Sequence, residues 1–198
     1  MARDPEKTAR RSALRAARRA LAATRDVDDD GRALEHHVLA LVDELGLGRG
    51  AVVTSYAAVP GEPPTAPVNA ALAARGIRVL LPITLPDLDL DWHDAADDTH
   101  TPLGLDAVAA ADLVLAPGLA VDRSGTRMGQ GGGCYDKALP RRRAGVPVVV
   151  VLHPGELLGP GDAALPREAH DQLVDAVVSA DGLVDLGLSP WRSPPAGA

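Results

Sequence analysis

The run Pro147-Val148-Val149-Val150-Val151-Leu152 has no polar position. A strand with one wet face alternates apolar and polar residues. A strand without alternation must be covered on both faces, which is the condition of a parallel sheet between helical layers. Leu113–Ala116 shares this character, as does Arg78–Pro82 after its first residue, and Ala51–Tyr56 reads as a further buried strand. Leu88–Trp92, Asp175–Ser179 and Leu183–Leu186 read as further, weaker strands. Helical stretches alternate with them. Residues 5–24 place Leu14, Ala17 and Leu21 at helical spacing between arginines. A second helix follows the N-cap candidates Asp28, Asp29 and Asp30, carries the stripe Leu34, Val38, Leu41, Val42 and Leu45, and stops at Gly46. Thr65–Arg75 is a third helix, 105–111 a short one, and Cys134–Arg142 a fifth. The expected architecture is α/β: a three-layer α/β/α fold with a mostly parallel sheet. It should form one domain over residues 5–188, followed by a loose Pro-rich tail over 189–198. Ligands of such folds sit outside the carboxyl ends of the strands. The loops after Tyr56, Pro82 and Ala116 are therefore where chemistry is expected.

Composition narrows the function. The 198 residues include no Phe, two Trp and two Tyr, so the core must be aliphatic. No apolar run is long enough to span a bilayer, so no membrane association is expected. A single cysteine, Cys134, excludes a disulfide framework or zinc cluster and points to a cytoplasmic protein. No apolar run follows the N-terminal charges, so a secretory leader is not expected, although an Arg-rich organelle-targeting segment has the same composition. The net charge of −7 is uneven: residues 1–25 carry a net +6, leaving −13 for the rest. A basic end on an acidic body suits an anion site near the N-terminus, or simply a solvated basic helix face. An acidic, aromatic-poor body disfavours nucleic acid as a partner.

Residues 117–137 are the most informative segment. They read Pro-Gly-Leu-Ala-Val-Asp-Arg-Ser-Gly-Thr-Arg-Met-Gly-Gln-Gly-Gly-Gly-Cys-Tyr-Asp-Lys, after a strand and into a helix. Glycines at 129, 131, 132 and 133 let backbone N–H groups converge on an anion such as phosphate, and Arg127 adds a fork-shaped cationic donor. No Gly-Lys-Ser/Thr follows, so this is not a Walker A loop, and the glycine spacing does not make a dinucleotide fingerprint.

The segment resembles the signature of 5-formyltetrahydrofolate cyclo-ligases, Pro-x-Leu-Ala-x-Asp-x-x-Gly-x-Arg-Leu-Gly-x-Gly-x-Gly-Tyr-Tyr-Asp-Arg. Three other stretches are similar in the same order. Arg11-x-x-Leu14-Arg15 resembles an N-terminal Lys-x-x-Leu-Arg element. Ser55-Tyr56 through Glu62-Pro63-x-Thr65 resembles a strand and substrate loop, and Pro166-x-Glu168-x-His170-Asp171 a late Pro-x-Glu-x-His-Asp element. The resemblance implies an enzyme that uses ATP and Mg²⁺ to close 5-formyltetrahydrofolate to 5,10-methenyltetrahydrofolate, acting as a monomer or homodimer. It implies ATP contacts from Arg11, Arg15, Arg127, Gly129, Gln130, Gly131, Gly132, Gly133, Cys134 and Tyr135. Arg127 and Tyr135 would serve catalysis, and Ala57, Glu62 and Tyr135 the folate. Asp136 and Asp171 would hold Mg²⁺.

Plainer roles exist for several of these. Asp136 can cap its helix or pair with Lys137, Asp171 can cap a following helix, and Glu62 can be a solvated loop residue. His153 and His170 read as structural histidines and Trp92 as packing. The chain also departs from the family pattern. Arg11 stands where the family has Lys, Cys134 replaces the first tyrosine of the Tyr-Tyr-Asp element, and Gln130 replaces a Tyr or Arg. No Gly-Ile-x-Glu-Pro element precedes the Asp112–Ala116 strand. These changes gather on the substrate side. They leave open a paralogue that activates another formyl or amide oxygen, beside a non-catalytic nucleotide- or nucleic-acid-binding protein.

Overall fold

A computed structural model describes residues 5–188 and Trp191. The chain begins with two 18-residue helices, α1 (Pro5–Ala22) and α2 (Val27–Glu44), then runs β1 (Val52–Thr54), α3 (Ala66–Ala74), β2 (Arg78–Thr84) and β3 (Leu90–Asp94). A 3₁₀ turn at Leu105–Ala110 leads into β4 (Leu113–Pro117). There follow β5 (Ala120–Val121), β6 (Arg127–Met128), α4 (Cys134–Ala138), β7 (Val148–Val151), β8 (Ala176–Ser179) and β9 (Gly182–Asp185). Seven strands form one sheet in the order β3-β2-β1-β4-β7-β8-β9. β2, β1, β4, β7 and β8 are parallel, and the edge strands β3 and β9 run antiparallel to them.

Both faces are covered, as the unbroken apolar runs require. In β7, Val149 and Val151 pack toward Leu34, Val38 and Leu41 of α2 and Val68 and Leu72 of α3. Val148 and Val150 pack on the opposite face with Val108, Tyr135, Ala138 and Leu139. All four valines are buried, and each such burial contributes roughly 1.5–3 kcal/mol against the entropy of ordering the chain. The strand order reverses at β1, with β2 on one side and β4 on the other. That switch point opens a crevice at the strand C-termini, flanked by the loops that follow β1 and β4.

Several local expectations are corrected. The cap of α2 is Asp26, whose Oδ1 accepts the N–H groups of Asp28 and Asp29 at 3.0 Å each. Asp28, Asp29 and Asp30 lie inside the first turn, where the helix dipole favours acids. Ala17 is exposed, and the buried side chains of α1 are Lys7 and Arg18, because this helix docks through charge. Leu88 lies outside β3, in a turn at φ 66°. Residues 117–133 are not merely a loop, since β5 and β6 pair there as a short antiparallel ladder. The fifth helix ends at Ala138, beyond which Leu139–Arg141 tightens into a 3₁₀ turn containing Pro140. Of the expected tail, all but Trp191 lies outside the described residues.

Candidate active site

The crevice holds a cavity of about 430 Å³. β1 and its loop contribute Tyr56, Ala57 and Glu62. The segment after β4 contributes Arg127, Gly129, Gln130, Gly131, Gly132, Gly133, Cys134, Tyr135 and Asp136. α1 contributes Lys7 and Arg11, and the segment before β8 contributes Glu168, His170 and Asp171.

The glycine loop is held from two sides. Asp122, at the end of β5, accepts the N–H and hydroxyl of Ser124 through Oδ1 at 2.9 and 2.6 Å, and the N–H of Leu165 through Oδ2 at 2.9 Å. That pins the β5–β6 turn to the body. From the other side Arg15 donates to the side chain of Gln130 at 3.0 Å and to its backbone carbonyl at 2.5 Å. Two glycines are needed where they stand. Gly131 has φ +106°, a backbone few other residues adopt, and a Cβ at Gly129 would lie 2.8 Å from the Arg127 guanidinium, which would have to shift. Because α4 is only five residues long, any anion at this loop would be met by backbone N–H groups of the loop rather than by a long helix dipole.

Arg127 is almost fully buried on the cavity wall. Its Nη2 meets both carboxylate oxygens of Asp136 at 3.1 and 3.2 Å, and its Nη1 donates to the Pro117 carbonyl at 3.3 Å. The guanidinium lies 5.6 Å from the centre of the Tyr135 ring, within cation–π range. Tyr135 packs edge to face with Trp92 at 6.4 Å. The hydroxyls of Tyr135 and Tyr56 are buried, and no hydrogen bond to either is found within the described chain. Burial pushes both phenols above their usual range, the neighbouring Glu62 carboxylate adding to it.

Lys7 is the cation at the base of the site. It donates to Glu168 at 2.7 Å and to Asp171 at 2.5 Å. Burial alone would lower its pKa, but these two partners outweigh that and hold it above 10.5. Burial would likewise raise the Asp171 carboxyl, but the Glu168 N–H and Lys7 outweigh it and hold Asp171 below 3.8. Glu168, His170 and Asp171 can offer ligand atoms within 4.8 Å of one another.

The structure brings the candidate residues of the sequence to this cavity, with one departure. Arg15 is not on the wall; it braces Gln130 from outside. Lys7 takes the second α1 position, one turn before Arg11. Lys7 and Arg11 are thus the α1 cations on the wall, while the Lys-x-x-Leu-Arg pattern itself still falls on Arg11-x-x-Leu14-Arg15, since Arg10 stands where a register starting at Lys7 would need Leu. The plainer roles of the acids are also revised. Asp136 pairs with Arg127, while Lys137 donates to the Asp87 carbonyl at 2.5 Å. Asp171 caps no helix, since none follows it before β8; it closes a turn on the Glu168 N–H at 2.7 Å. Glu62 lines the cavity and accepts the Val59 N–H at 3.2 Å. Tyr56, Lys7 and Glu168 were given no site role from sequence, although Tyr56 and Glu168 lie in two of the family-like elements; Lys7 had no such signal.

The comparisons with known proteins agree with one another. The family model of the 5-formyltetrahydrofolate cyclo-ligase family matches residues 3–180. The 5-formyltetrahydrofolate cyclo-ligase of Mycolicibacterium smegmatis is 33% identical over 155 residues, which cover 69% of this chain and 78% of that protein. Among solved structures, a 5,10-methenyltetrahydrofolate synthetase from Mycoplasma pneumoniae superposes with a TM-score of 0.70 at 16% identity, over 88% of this chain and 99% of that one. The corresponding synthetase of Aquifex aeolicus gives 0.65 at 19% identity, over 90% and 94%. At these identities the structural likeness is one of fold.

Proposed function

The chain belongs to the 5-formyltetrahydrofolate cyclo-ligase family, and we propose that it closes 5-formyltetrahydrofolate to 5,10-methenyltetrahydrofolate with ATP and Mg²⁺. The observation that carries this reading is the convergence, on one cavity, of a glycine loop with Arg127, a pair of α1 cations and the loop bearing Glu62.

The chemistry asks for such a site. An amide-type oxygen is a poor leaving group. Attack of the formyl oxygen on the terminal phosphorus of ATP releases ADP and converts that oxygen to a phosphate ester. The second folate nitrogen then adds to the formyl carbon and loses its proton, and inorganic phosphate departs with the C–O electrons. Little covalent work falls to the protein, which positions the reactants and stabilises phosphoryl charge. Backbone N–H groups of Gly129–Gly133, with Arg127, Arg11 and Lys7, would grip the phosphates, while Arg15 steadies the loop through Gln130. Glu62 would bind the pterin end beside Ala57. Tyr135 carries Arg127 at its ring and would bound the folate. Asp171 fits a hard cation that prefers oxygen ligands: with Glu168 and His170 it offers ligand atoms within 4.8 Å of one another, and it already holds positive charge in the form of Lys7. Asp171 and Asp136 would hold Mg²⁺, which when bound supplies offset of phosphate charge.

Cys134 on the cavity wall, where the family signature has a tyrosine ring, favours a second reading in which a different N-formyl or amide compound is cyclised. One assay separates the two. Purified protein, ATP, Mg²⁺ and 5-formyltetrahydrofolate are mixed and the absorbance of the methenyl product is followed. An ATP-dependent rise, lost in Asp136→Ala, supports the folate reading. No rise, with ATP binding retained by calorimetry, favours the other substrate class.

A further inference from the structure

Behind the cavity wall runs a line of buried polar contacts that this reaction leaves unused. Arg18 of α1 donates to both carboxylate oxygens of Glu156, at 2.6 and 2.5 Å, and to the Gly118 carbonyl at 2.5 Å. Glu156 also accepts the backbone N–H of His153 at 2.8 Å. The His153 side chain is 5% exposed, and its Nε2 lies 3.2 Å from the Gly61 carbonyl. Its Nδ1 faces Asp30 at 3.8 Å, beyond hydrogen-bonding distance. Gly118 and Glu62 are both cavity residues, so the line runs from the base of the glycine loop to the residue before Glu62.

A carbonyl oxygen only accepts, so Nε2 carries the proton directed at Gly61. The loop tip makes its own bonds, Glu62 N–H to the Val59 carbonyl at 2.9 Å and Val59 N–H to the Glu62 carboxylate at 3.2 Å. Yet Val59 is 58% exposed, so the tip gains little from burial. The bond from His153 ties this tip to the chain just beyond β7.

We propose that His153 is a positioning residue for the substrate end of the site: its imidazole holds the Gly61 carbonyl and thereby sets the Glu62 carboxylate at the cavity wall. The proposal rests on the assignment of Glu62 to the folate and deepens it.

Two readouts test it. In the ligand-free protein, hydrogen exchange of the Val59 and Glu62 amides reports the loop directly. His153→Leu speeds that exchange, while His153→Gln, whose amide nitrogen reaches toward the Nε2 position, restores it. In turnover, His153→Leu raises KM for 5-formyltetrahydrofolate about fivefold, the scale of one lost hydrogen bond, with KM for ATP and kcat changed far less. In a Glu62→Gln background the same substitution adds no further rise, because both changes act through one carboxylate. Unchanged exchange, or a parallel rise in both KM values, overturns the proposal. The exchange readout needs no substrate, so it decides the loop's anchorage even where turnover goes against the folate reading. Should His153→Leu not fold, His153→Asn withdraws the donor from Gly61 and takes its place.

Discussion

Lys7 joins the ion pairs that dock the first helix to the wall of the cavity. It is 6% exposed and sits between two carboxylates, and losing these charged hydrogen bonds costs roughly 1–3 kcal/mol. Its pKa is raised above 10.5, so its contribution is fully present below the unfolded value and fades as pH rises through the folded one. Asp171 is shifted below 3.8, so its contribution is present above the unfolded value and fades as pH falls through the folded one. The difference in unfolding free energy between wild type and Lys7→Met is therefore expected to be flat across neutral pH and to shrink at both extremes. Urea denaturation at acid, neutral and alkaline pH checks this, and a difference that titrates near neutrality would contradict it. Arg127 and Arg15 make a second contrast at this scale. Arg127 lies on the wall and divides its guanidinium between Asp136 through Nη2 and the Pro117 carbonyl through Nη1, an arrangement a lysine cannot reproduce, so Arg127→Lys is expected to lower kcat about 100-fold, as loss of a preorganised donor does. Arg15 lies off the cavity wall and hydrogen-bonds Gln130 of the loop, so Arg15→Ala should raise KM for ATP and leave kcat near its starting value. Steady-state kinetics in both substrates separates the two outcomes.

At the scale of elements, legibility followed pattern length. β7 and α2 were readable because four consecutive valines and a five-residue helical stripe leave one physical solution each. Signals that depend on partners were not readable. Nothing in Leu90–Asp94 states that it runs antiparallel beside β2, and the amphipathic spacing in α1 suggested an apolar seat where the structure has Lys7 and Arg18. The ladder of β5 and β6 escaped notice because two-residue strands have no period. It is held instead by Asp122, whose buried carboxylate gathers donors from Ser124 and Leu165. Asp122→Ala strands those donors and is expected to cost about 2–3 kcal/mol. A lower urea midpoint with an unchanged slope would show this, and a neutral substitution would mean that water replaces the carboxylate. The candidate site was legible as a set of residues, because the glycine loop and the late Glu-x-His-Asp element are local in sequence. Its mutual pairings, Lys7 with Asp171 and Arg127 with Asp136, span 164 and 9 positions and had no pattern to announce them.

Across the whole molecule, stability is unevenly distributed, and the cavity lies on the boundary. The sheet and the helices α2 and α3 share an aliphatic core. The first helix contributes to that core hardly at all: its buried side chains are charged, and its half-buried Leu14 packs on a small cluster of Ala120, Met128 and Leu165. It is docked by Lys7 on Glu168 and Asp171, Arg15 on Gln130 and Arg18 on Glu156. Ion pairs of this kind recover little net free energy after desolvation, whereas apolar burial is the main favourable term. The first helix should therefore open at lower cost than global unfolding, as local cooperative units do. Native-state hydrogen exchange is expected to show amides of residues 9–20 exchanging faster than those of Val149–Val151. Because Lys7 and Arg11 line the cavity, the proposed function requires that ATP with Mg²⁺ bind the docked helix better than the open one. Its addition should slow exchange in the first helix more than in the second, in proportion to ligand concentration over its dissociation constant. Exchange of the first helix only through global unfolding would show instead that the ion pairs have the strength of the core. A uniform slowing of both helices would show that ligand binding does not depend on the docking of the first.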